Sequence, residues 1–350
     1  MDRTNGPNMV LSEMDDYGHE QVTHVSDPET GLEAIIAIHD TTLGPSLGGT
    51  RLRPYETEED ALRDVLRLSQ AMTYKAAAAH LDLGGGKAVI IADPNDKTPE
   101  MMRAYGRGVA WLGGRYITSV DMNTGVDDME IIAEETDHVV GREDGLGDPS
   151  PVTATGVFSG VKACCEATYG TDDLSGRSVA IQGIGKVGRD LAVHLDEAGA
   201  EITVTDVDEE KLNSFAGEHG FEVVAPDDIY GVDCDIFAPC AIGGVLNDET
   251  IPQLQCDIVA GGANNVLEDR EHAEVLKDRG ILYAPDYVIN GGGLITVATE
   301  AEGGTIEDAI DHAEDIGDRL LTMIEKAEAE DTTVLEAADR YAEERIERGS

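Results

Sequence analysis

The chain is poor in lysine, in aromatic residues and in long apolar segments. Eight lysines stand against 71 Asp plus Glu, and aromatic residues make up 4% of the 350 positions. No run of 18 apolar residues occurs, so no membrane span is predicted. Residues 1–7 lack the charged and then apolar pattern of a secretory signal, and we therefore expect a cytoplasmic protein.

Neither cysteine nor histidine forms a pattern typical of a disulfide framework or a metal site. The five cysteines are odd in number, lack a CxxC spacing and include the adjacent Cys164 and Cys165 on a predicted helix. Buried free thiols in a reducing compartment are the expectation. The nine histidines form no HxxxH pair, so we predict no metal site.

Acidic residues dominate the composition and are spread along the whole chain. The formal net charge is −46, while hydrophobic residues still make up 41% of the sequence. That hydrophobic share suffices for packed cores and argues against intrinsic disorder. A negative solvated shell repels nucleic acid and anionic membranes. We interpret the charge as an adaptation to very high salt, where repulsion is screened over about 3 Å at 1 M.

The length and the order of apolar segments predict an α/β protein of two domains. Residues 20–39 are typical of strands, residues 58–76 of an amphipathic helix, and residues 88–92 of a short strand. Residues 141–151 have the composition of a loop or hinge, and the chain from about Thr305 is helical. Between them, short apolar runs predict parallel strands at 178–182, 201–206, 236–238, 258–260 and 281–284.

A glycine-rich turn follows the first of these parallel strands. The run Gly183-Ile184-Gly185-Lys186-Val187-Gly188 has the GxGxxG spacing of a dinucleotide-binding turn. It offers a phosphate group the N-terminus of a helix, where free N–H groups and the dipole favour an anion. The next strand ends in Asp206, which is placed to bind both hydroxyls of an adenosine ribose and to repel a 2′-phosphate. The sequence therefore predicts NAD in preference to NADP.

Two of the eight lysines lie in segments without polar neighbours. Lys75 precedes four alanines, and Lys87 lies between three glycines and an apolar strand. A shielded lysine beside another cation has a lowered pKa, which suits a catalytic base; alternatively, both side chains extend to water along their stems. Asp121 follows an apolar segment, where it is either a helix N-cap or the charge partner of Lys87.

With these motifs the chain resembles the glutamate/leucine/phenylalanine/valine dehydrogenase family, most closely its leucine-specific members. The similarity extends over nearly the whole chain and is carried by residues 43–51, 72–75, 83–87, 149–154, 183–188, 234–240, 283–290 and 337–340. It implies an N-terminal α/β substrate and oligomerisation domain over residues 1–147, joined by the last helix at about 325–350. It also implies a C-terminal Rossmann-type doubly wound NAD domain over residues 148–324, with a cleft that closes between the two.

The resemblance implies roles for single residues. Lys75 matches the lysine that pairs with the substrate α-carboxylate, Lys87 the general acid/base, and Asp121 its proton-transfer partner. Thr153 is similar to the residue that orients the nicotinamide amide. An asparagine close to both substrate and nicotinamide matches Asn264 or Asn265. Further matches are Leu47, Gly48, Gly49, Met72, Ser119, Asn265, Leu294 and Val297 for the substrate, and Val207, Ala241, Asn264 and Asn290 for the cofactor.

The implied reaction is reversible, NAD-dependent oxidative deamination of an L-amino acid by a symmetric homo-oligomer. Hydride moves from Cα to the nicotinamide, and water bridged to Lys87 attacks the resulting imine. Proton transfers through Lys87 and Asp121 then release ammonia and a 2-oxo acid. Lys75, as a nearby cation, is expected to lower the pKa of Lys87.

The pocket residues imply a branched aliphatic substrate: leucine, valine or isoleucine. Glutamate-specific members carry a lysine at the position of Leu47 and a hydroxyl at that of Val297, so apolar residues here leave a γ-carboxylate unpaired. Leu294 and Ser119 differ from the valine and alanine of leucine-specific members; Leu294 resembles the phenylalanine branch, and residues 121–124 the glutamate branch. Phenylalanine or glutamate dehydrogenase, and a non-catalytic NAD sensor, are the alternatives.

Overall fold

The computed structural model describes residues 9–349, which form two compact units. The first contains the described residues up to Gly147, the segment Val297–Gly304 and the residues from Ala342 onward. The second contains Asp148–Thr296 and Thr305–Tyr341. No helix within residues 9–349 has the length and apolar character needed to cross a membrane.

The first unit is built on a mixed sheet of five strands. Its strands are β1 Gln21–Asp27, β2 Leu32–Asp40, β3 Ser46–Arg53, β4 Gly84–Ile91 and β5 Tyr116–Val120. Their order is β1-β2-β4-β3-β5, with β2 antiparallel to both its neighbours and β3 parallel to both of its own. Its helices are α1 Met9–Tyr17, α2 Glu58–Ala78, α3 Pro99–Ala110 and α4 Val126–Ala133.

The two faces of this sheet pack against different helices. Ile36 and Ile90 belong to a core shared with α3 and α4, whereas Ile35 and Val89 pack against α2. Successive side chains of a strand alternate between faces. Lys87, two residues before Val89, therefore lies on the α2 face.

The strand that carries Lys87 begins four residues earlier than predicted, because its glycines are packing positions. A Cβ on Gly85 would lie 2.2 Å from the backbone nitrogen of Thr73 in α2, and one on Gly86 would lie 2.7 Å from the ring of Tyr116. Only glycine permits such close approach on both faces. The glycine run before Lys87 is therefore part of the strand, packed between a helix and an aromatic ring.

The second unit has the Rossmann-type doubly wound fold that was predicted. Its strands are β6 Ser178–Gln182, β7 Glu201–Thr205, β8 Glu222–Val223, β9 Ile236–Pro239, β10 Ile258–Val259 and β11 Leu282–Tyr283. All pairings are parallel, and the order is β11-β10-β9-β6-β7-β8. The strand order reverses between β6 and β9, and ligands of such sheets bind beyond the carboxyl ends of the strands at that point.

Helices cover the second sheet and continue to the end of the chain. They are α5 Ser150–Tyr169, α6 Lys186–Glu197, α7 Glu209–His219, α8 His272–Asp278, α9 Asp286–Ile289, α10 Gly292–Ala301, α11 Ile306–Glu314, α12 Ile316–Glu330 and α13 Val334–Arg348. The predicted loop at 141–151 ends where α5 begins. All five cysteines are free, and all but the half-buried Cys240 are buried.

The C-terminal segment joins the first unit later than the predicted position of about 325. Leu335, at the start of α13, belongs to the core of the second unit. Further along the same helix, Ala342 packs in a first-unit cluster with Leu43 and Ala77. The single helix α13 thus contributes to both units, so its sequence pattern contains no break at the boundary. The second returning segment, Val297–Gly304, was not predicted.

Candidate active site

The charged centre of the first unit is a lysine buried in the sheet. The Lys87 side chain is 10% exposed, and its Nζ lies 3.1 Å from Oδ2 of Asp121. Lys87 belongs to β4, which pairs with the antiparallel β2 on one side and the parallel β3 on the other. A buried lysine is costly without a charged partner, and the carboxylate of Asp121 provides one.

Asp121 is held at the end of β5 by its own turn. Its backbone N–H donates to Oγ1 of Thr124 at 2.9 Å, and the N-cap of α4 is Gly125, so Asp121 is not a helix cap. A Cβ on Gly49 would lie 2.8 Å from the Cβ of Asp121 and 2.4 Å from the carbonyl oxygen of Val120. The missing side chain at Gly49 therefore makes room for Asp121.

Arg51 on β3 shares the carboxylate with Lys87. Its Nε donates to Oδ2 of Asp121 at 3.1 Å, and its Nη1 donates to Oδ2 of Asp64, on α2, at 3.0 Å. The hydroxyl of Tyr55 donates to the same Asp64 oxygen at 2.8 Å. The structure thus links Lys87, Asp121, Arg51 and Asp64 in one network of close polar contacts, which Tyr55 and Arg67 extend.

Burial and charge act in opposite directions on the two central groups. Desolvation lowers the pKa of Lys87 below that of a free lysine although Asp121 opposes the change, and the nearby cation that adds to the lowering is Arg51. Desolvation by itself raises the pKa of Asp121, but Lys87 and Arg51 outweigh it and leave that pKa below its ordinary value. The further lowering of the Lys87 pKa that we expect from Lys75 stays a prediction. A lysine with a lowered pKa beside a carboxylate is suited to exchange a proton with it.

The residues predicted to bind the substrate fall in both units. In the first unit, Lys75 and Met72 lie half-buried on α2, and Val297 is half-buried. Leu47 and Ser119 are buried on β3 and β5. A Cβ on Gly48 would lie 1.8 Å from the carbonyl oxygen of Gly86, so this glycine keeps β3 and β4 together. In the second unit, Leu294 is buried on α10.

The predicted dinucleotide turn has the backbone that a pyrophosphate needs. Gly183 has φ +95°, and a Cβ there would lie 2.6 Å from that of Ala241, which follows β9 across the switch point. A Cβ on Gly188 would lie 2.0 Å from the carbonyl oxygen of Gly183. Nothing lies within 4 Å of the Cβ position of Gly185, the N-cap of α6, which has no side-chain cap. This cradle fits a phosphate group.

Asp206 follows β7 and is bonded to the turn itself. Its Oδ2 accepts the N–H of Ile184 at 2.8 Å, and its Oδ1 accepts that of Asp208 at 3.0 Å. Val207 beside it is 88% exposed. Lys186 extends into solvent and pairs with Asp148 at 2.7 Å. Val187 packs near Gly262, where a Cβ would lie 2.7 Å from its Cγ1.

Four of the residues predicted to lie near the nicotinamide or to bind the cofactor are fixed by hydrogen bonds in the second unit. Thr153, in the first turn of α5, donates its hydroxyl to the carbonyl of Pro149 at 2.9 Å. Asn290 is buried and donates its amide to Oδ1 of Asn264 at 2.8 Å. Asn265 has φ +51°, and its carbonyl accepts the N–H of Gly244. Of the two candidate asparagines, Asn264 is the one tied to Asn290.

Two family models match this chain. Residues 19–138 match the Glu/Leu/Phe/Val dehydrogenase dimerisation domain, and residues 203–348 match the Glutamate/Leucine/Phenylalanine/Valine dehydrogenase model. The chain belongs to this dehydrogenase family. It is therefore an oxidoreductase, and the predicted family assignment is confirmed.

Relatives of this dehydrogenase act on more than one amino acid. Leucine dehydrogenase from Geobacillus stearothermophilus is 52% identical over 95% of this chain and 92% of its own length. Phenylalanine dehydrogenase from Lysinibacillus sphaericus is 49% identical over 94% and 89%. The crystal structure of L-tryptophan dehydrogenase from Nostoc punctiforme superposes with a TM-score of 0.90 at 47% identity, covering 97% of this chain and 99% of that one.

Sequence reasoning overlooked two parts of the dehydrogenase site. Arg51 was noted only within a matching segment, and Asp64 was not singled out. Asp64 lies eleven residues before Lys75 on the same helix, which is about three turns and therefore the same face; that spacing could have revealed it.

Proposed function

We propose that this protein catalyses the NAD-dependent oxidative deamination of a branched-chain aliphatic L-amino acid. The observation that carries the proposal is the buried Lys87, paired with Asp121 at 3.1 Å and with a lowered pKa. A non-catalytic NAD sensor would gain nothing from a buried, tunable base, which costs stability.

The first unit supplies the proton chemistry. Lys75 binds the α-carboxylate of the substrate. Lys87 takes a proton as the neutral base, holds the water that adds to the imine carbon, and passes protons to Asp121. When bound, NAD supplies the hydride acceptor for the hydrogen on Cα. Ammonia and a 2-oxo acid are released.

The second unit supplies the cofactor site. Backbone N–H groups at the start of α6 bind the pyrophosphate, and Asp206 binds the adenosine ribose hydroxyls. The carboxylate of Asp206 also repels a 2′-phosphate, which favours NAD over NADP. Thr153, Asn264 and Asn290 orient the nicotinamide end, while Val207 and Ala241 flank the nucleotide.

Apolar pocket residues support an aliphatic substrate. Leu47 is buried and apolar, so it offers no charge that could pair with a γ-carboxylate. Val297 is the second apolar position that separates this pocket from a glutamate site. The leucine dehydrogenases among the relatives support the same assignment. Leu294, together with the phenylalanine and tryptophan enzymes among the relatives, supports an aromatic substrate as the second candidate.

The test is a comparison of initial rates of NAD reduction with leucine, valine, isoleucine, phenylalanine, tryptophan and glutamate in molar salt. We expect the highest kcat/KM with a branched aliphatic substrate. Such pockets discriminate by about 1–3 kcal/mol per methylene, so neighbouring substrates should differ by roughly 10–200-fold. A preference for glutamate contradicts the pocket assignment, and an aromatic preference selects the second candidate.

We also propose that the protein assembles into homo-oligomers through its first unit. The support is the match of residues 19–138 to a dimerisation domain. Closed symmetric assemblies are the common form of such oligomers. Sedimentation velocity in molar salt tests this: a species of single-chain mass, 37.2 kDa, at micromolar protein contradicts it.

The net charge of −46 supports adaptation to high salt in the cytoplasm. Salt screens the repulsion that otherwise opposes the compact state. Buried free thiols are in keeping with a reducing compartment. Circular dichroism that is the same in molar and millimolar salt would contradict the salt requirement.

A further inference from the structure

The network around Lys87 contains a second cation that does not belong to the proposed proton path. Arg51 donates to the same oxygen of Asp121 that Lys87 contacts, with both distances at 3.1 Å. Its side chain is 17% exposed, and that of Asp64, its other partner, is 15% exposed. Groups this shielded interact more strongly than surface ion pairs.

We propose that Arg51, braced by Asp64, is the positioning residue that sets the protonation equilibrium of Lys87. This proposal rests on the proposed function. The carboxylates of Asp121 and Asp64 favour the protonated form of Lys87, and Arg51, which bridges them, opposes their effect on its pKa. The charge of Arg51 therefore lets the lysine release its proton more easily than it would without that cation.

Arg51 also fixes the direction of the Asp121 carboxylate. The guanidinium is held from the opposite side by Asp64, which is itself held by the hydroxyl of Tyr55 at 2.8 Å and by Nη2 of Arg67 at 3.0 Å. A chain of four hydrogen-bonded partners therefore fixes the Asp121 carboxylate that faces Lys87: Arg51 on β3, Tyr55 in the segment after it, and Asp64 and Arg67 on α2. A planar guanidinium is well suited to bridge two carboxylates in a fixed direction.

The other ionisable groups on this face are few. Helix α2 brings Asp64, Arg67 and Lys75, and β2 brings His39, whose Nδ1 lies 2.8 Å from the Thr73 hydroxyl. Burial lowers the pKa of His39 and lowers that of His19, whose Nε2 lies 2.7 Å from the Ser69 hydroxyl on α2, to about 4, which favours neutral rings. The charged groups that shift the pKa of Lys87 are Asp121, Arg51 and Asp64.

The test uses two substitutions in the bridge between Arg51 and Asp64 that change its charge in opposite directions. Arg51→Met removes a cation near Lys87, and Asp64→Asn removes an anion with little change of shape. The rise of kcat/KM with pH reports the deprotonation of the base in the free enzyme. We expect this rise to move to higher pH by about one unit in Arg51→Met and to lower pH by about half a unit in Asp64→Asn.

The conservative variant and a matched control separate positioning from structure. Arg51→Lys keeps the positive charge but loses the bridge between Asp121 and Asp64. Its pH profile should therefore lie between those of Arg51→Met and the wild type, and its kcat should stay below that of the wild type. Arg103 lies on α3, which packs on the opposite face of the sheet, and pairs with Glu134. Arg103→Met removes the same charge from that pair and should leave the pH profile unchanged. In Arg51→Met we expect kcat to fall and KM for the amino acid to change little, because Arg51 contacts Asp121 rather than substrate.

The outcomes are distinguishable when the measurements are made in molar salt, which screens surface pairs far more than buried ones. Shifts of Arg51→Met and Asp64→Asn in the same direction, or no shifts, contradict the proposal while an active wild type leaves the proposed function standing. If Arg51→Met does not fold, Asp64→Asn decides alone, since only a move to lower pH agrees. A wild type that oxidises no amino acid contradicts both proposals.

Discussion

The two ligand sites of this protein are built from different parts of the polypeptide. In the first unit, buried charged side chains from β3, β4, β5 and α2 meet in one network around Lys87. In the second, the predicted site consists mainly of backbone: glycines and a helix N-terminus, together with one carboxylate that accepts the N–H of Ile184. We expect the first arrangement to move protons and the second to hold a dinucleotide without taking part in the proton chemistry.

This difference predicts how each site fails. Removing a side chain from the first site should lower turnover and leave cofactor binding intact, because we expect the charges there to act on the reacting atoms. Adding a side chain to the second should weaken cofactor binding, because its function depends on close backbone approach. The four predictions that follow test this contrast.

The largest effect is expected for Lys87→Met. Loss of a positioned acid/base lowers rates by about 10²–10⁴-fold, and the hydrophobic replacement leaves Asp121 paired with Arg51. We expect kcat to fall by that factor and the Kd for NAD, measured by titration calorimetry, to stay within about twofold of the wild type. Lys97→Met, which removes a lysine bonded to Asp128 in the same unit, is the matched control and should keep most activity. Wild-type turnover in Lys87→Met would overturn the mechanism.

Gly188→Ala should show the opposite pattern. The added Cβ would lie 2.0 Å from the carbonyl oxygen of Gly183, so the turn must move. Overpacking of this kind costs about 1–3 kcal/mol, and if that cost falls on the bound state the Kd for NAD rises by roughly 10–100-fold. Gly217→Ala, on α7 with nothing near its Cβ position, is the control and should bind NAD normally. Unchanged affinity in Gly188→Ala would place the pyrophosphate elsewhere.

Asp206→Asn should weaken NAD binding less, by about tenfold, because the amide keeps one acceptor for the N–H of Ile184 but loses the charge. The same change should narrow the preference over NADP, since a 2′-phosphate no longer meets a carboxylate. Parallel measurements of KM for the two cofactors test both statements. A drop in NAD affinity without any gain for NADP would mean that Asp206 stabilises the turn rather than selecting the cofactor.

The sequence predicted the second site more completely than the first, for a physical reason. A dinucleotide turn is local: strand β6, the three glycines and α6 are consecutive in the chain, and Asp206 ends the next strand. The spacing of these residues in the sequence therefore predicts the geometry of the turn. Strand limits differed by one or two residues at β7, β9, β10 and β11, because short parallel strands end where pairing ends rather than where apolar residues end.

The first site joins residues far apart in sequence, and spacing does not reveal such contacts. The position of Lys87 among apolar residues, that of Asp121 after an apolar segment and the family resemblance together singled out this pair, but the bridge from Arg51 to Asp64 depends on how β3 and α2 pack. The glycines before Lys87 showed the same limit: the strand was predicted only from residue 88, whereas Gly85 and Gly86 belong to it and pack closely against Thr73 and Tyr116. The return of the chain at Ala342 was misplaced because α13 is continuous across the boundary between the units.

The smallest effect is expected for Lys186→Met, which sharpens the contrast between the two sites. Lys186 lies inside the GxGxxG run, yet its side chain is 76% exposed and pairs with Asp148 at the surface. Such pairs contribute about 0–1 kcal/mol and less in molar salt, so the Kd for NAD should change by less than about fivefold. The comparison with Lys87→Met uses the same substitution at a lysine that is 10% exposed. If Lys186→Met instead weakens NAD binding as strongly as Gly188→Ala does, a charged side chain contributes to the cofactor site, and the division between a side-chain site and a backbone site does not hold.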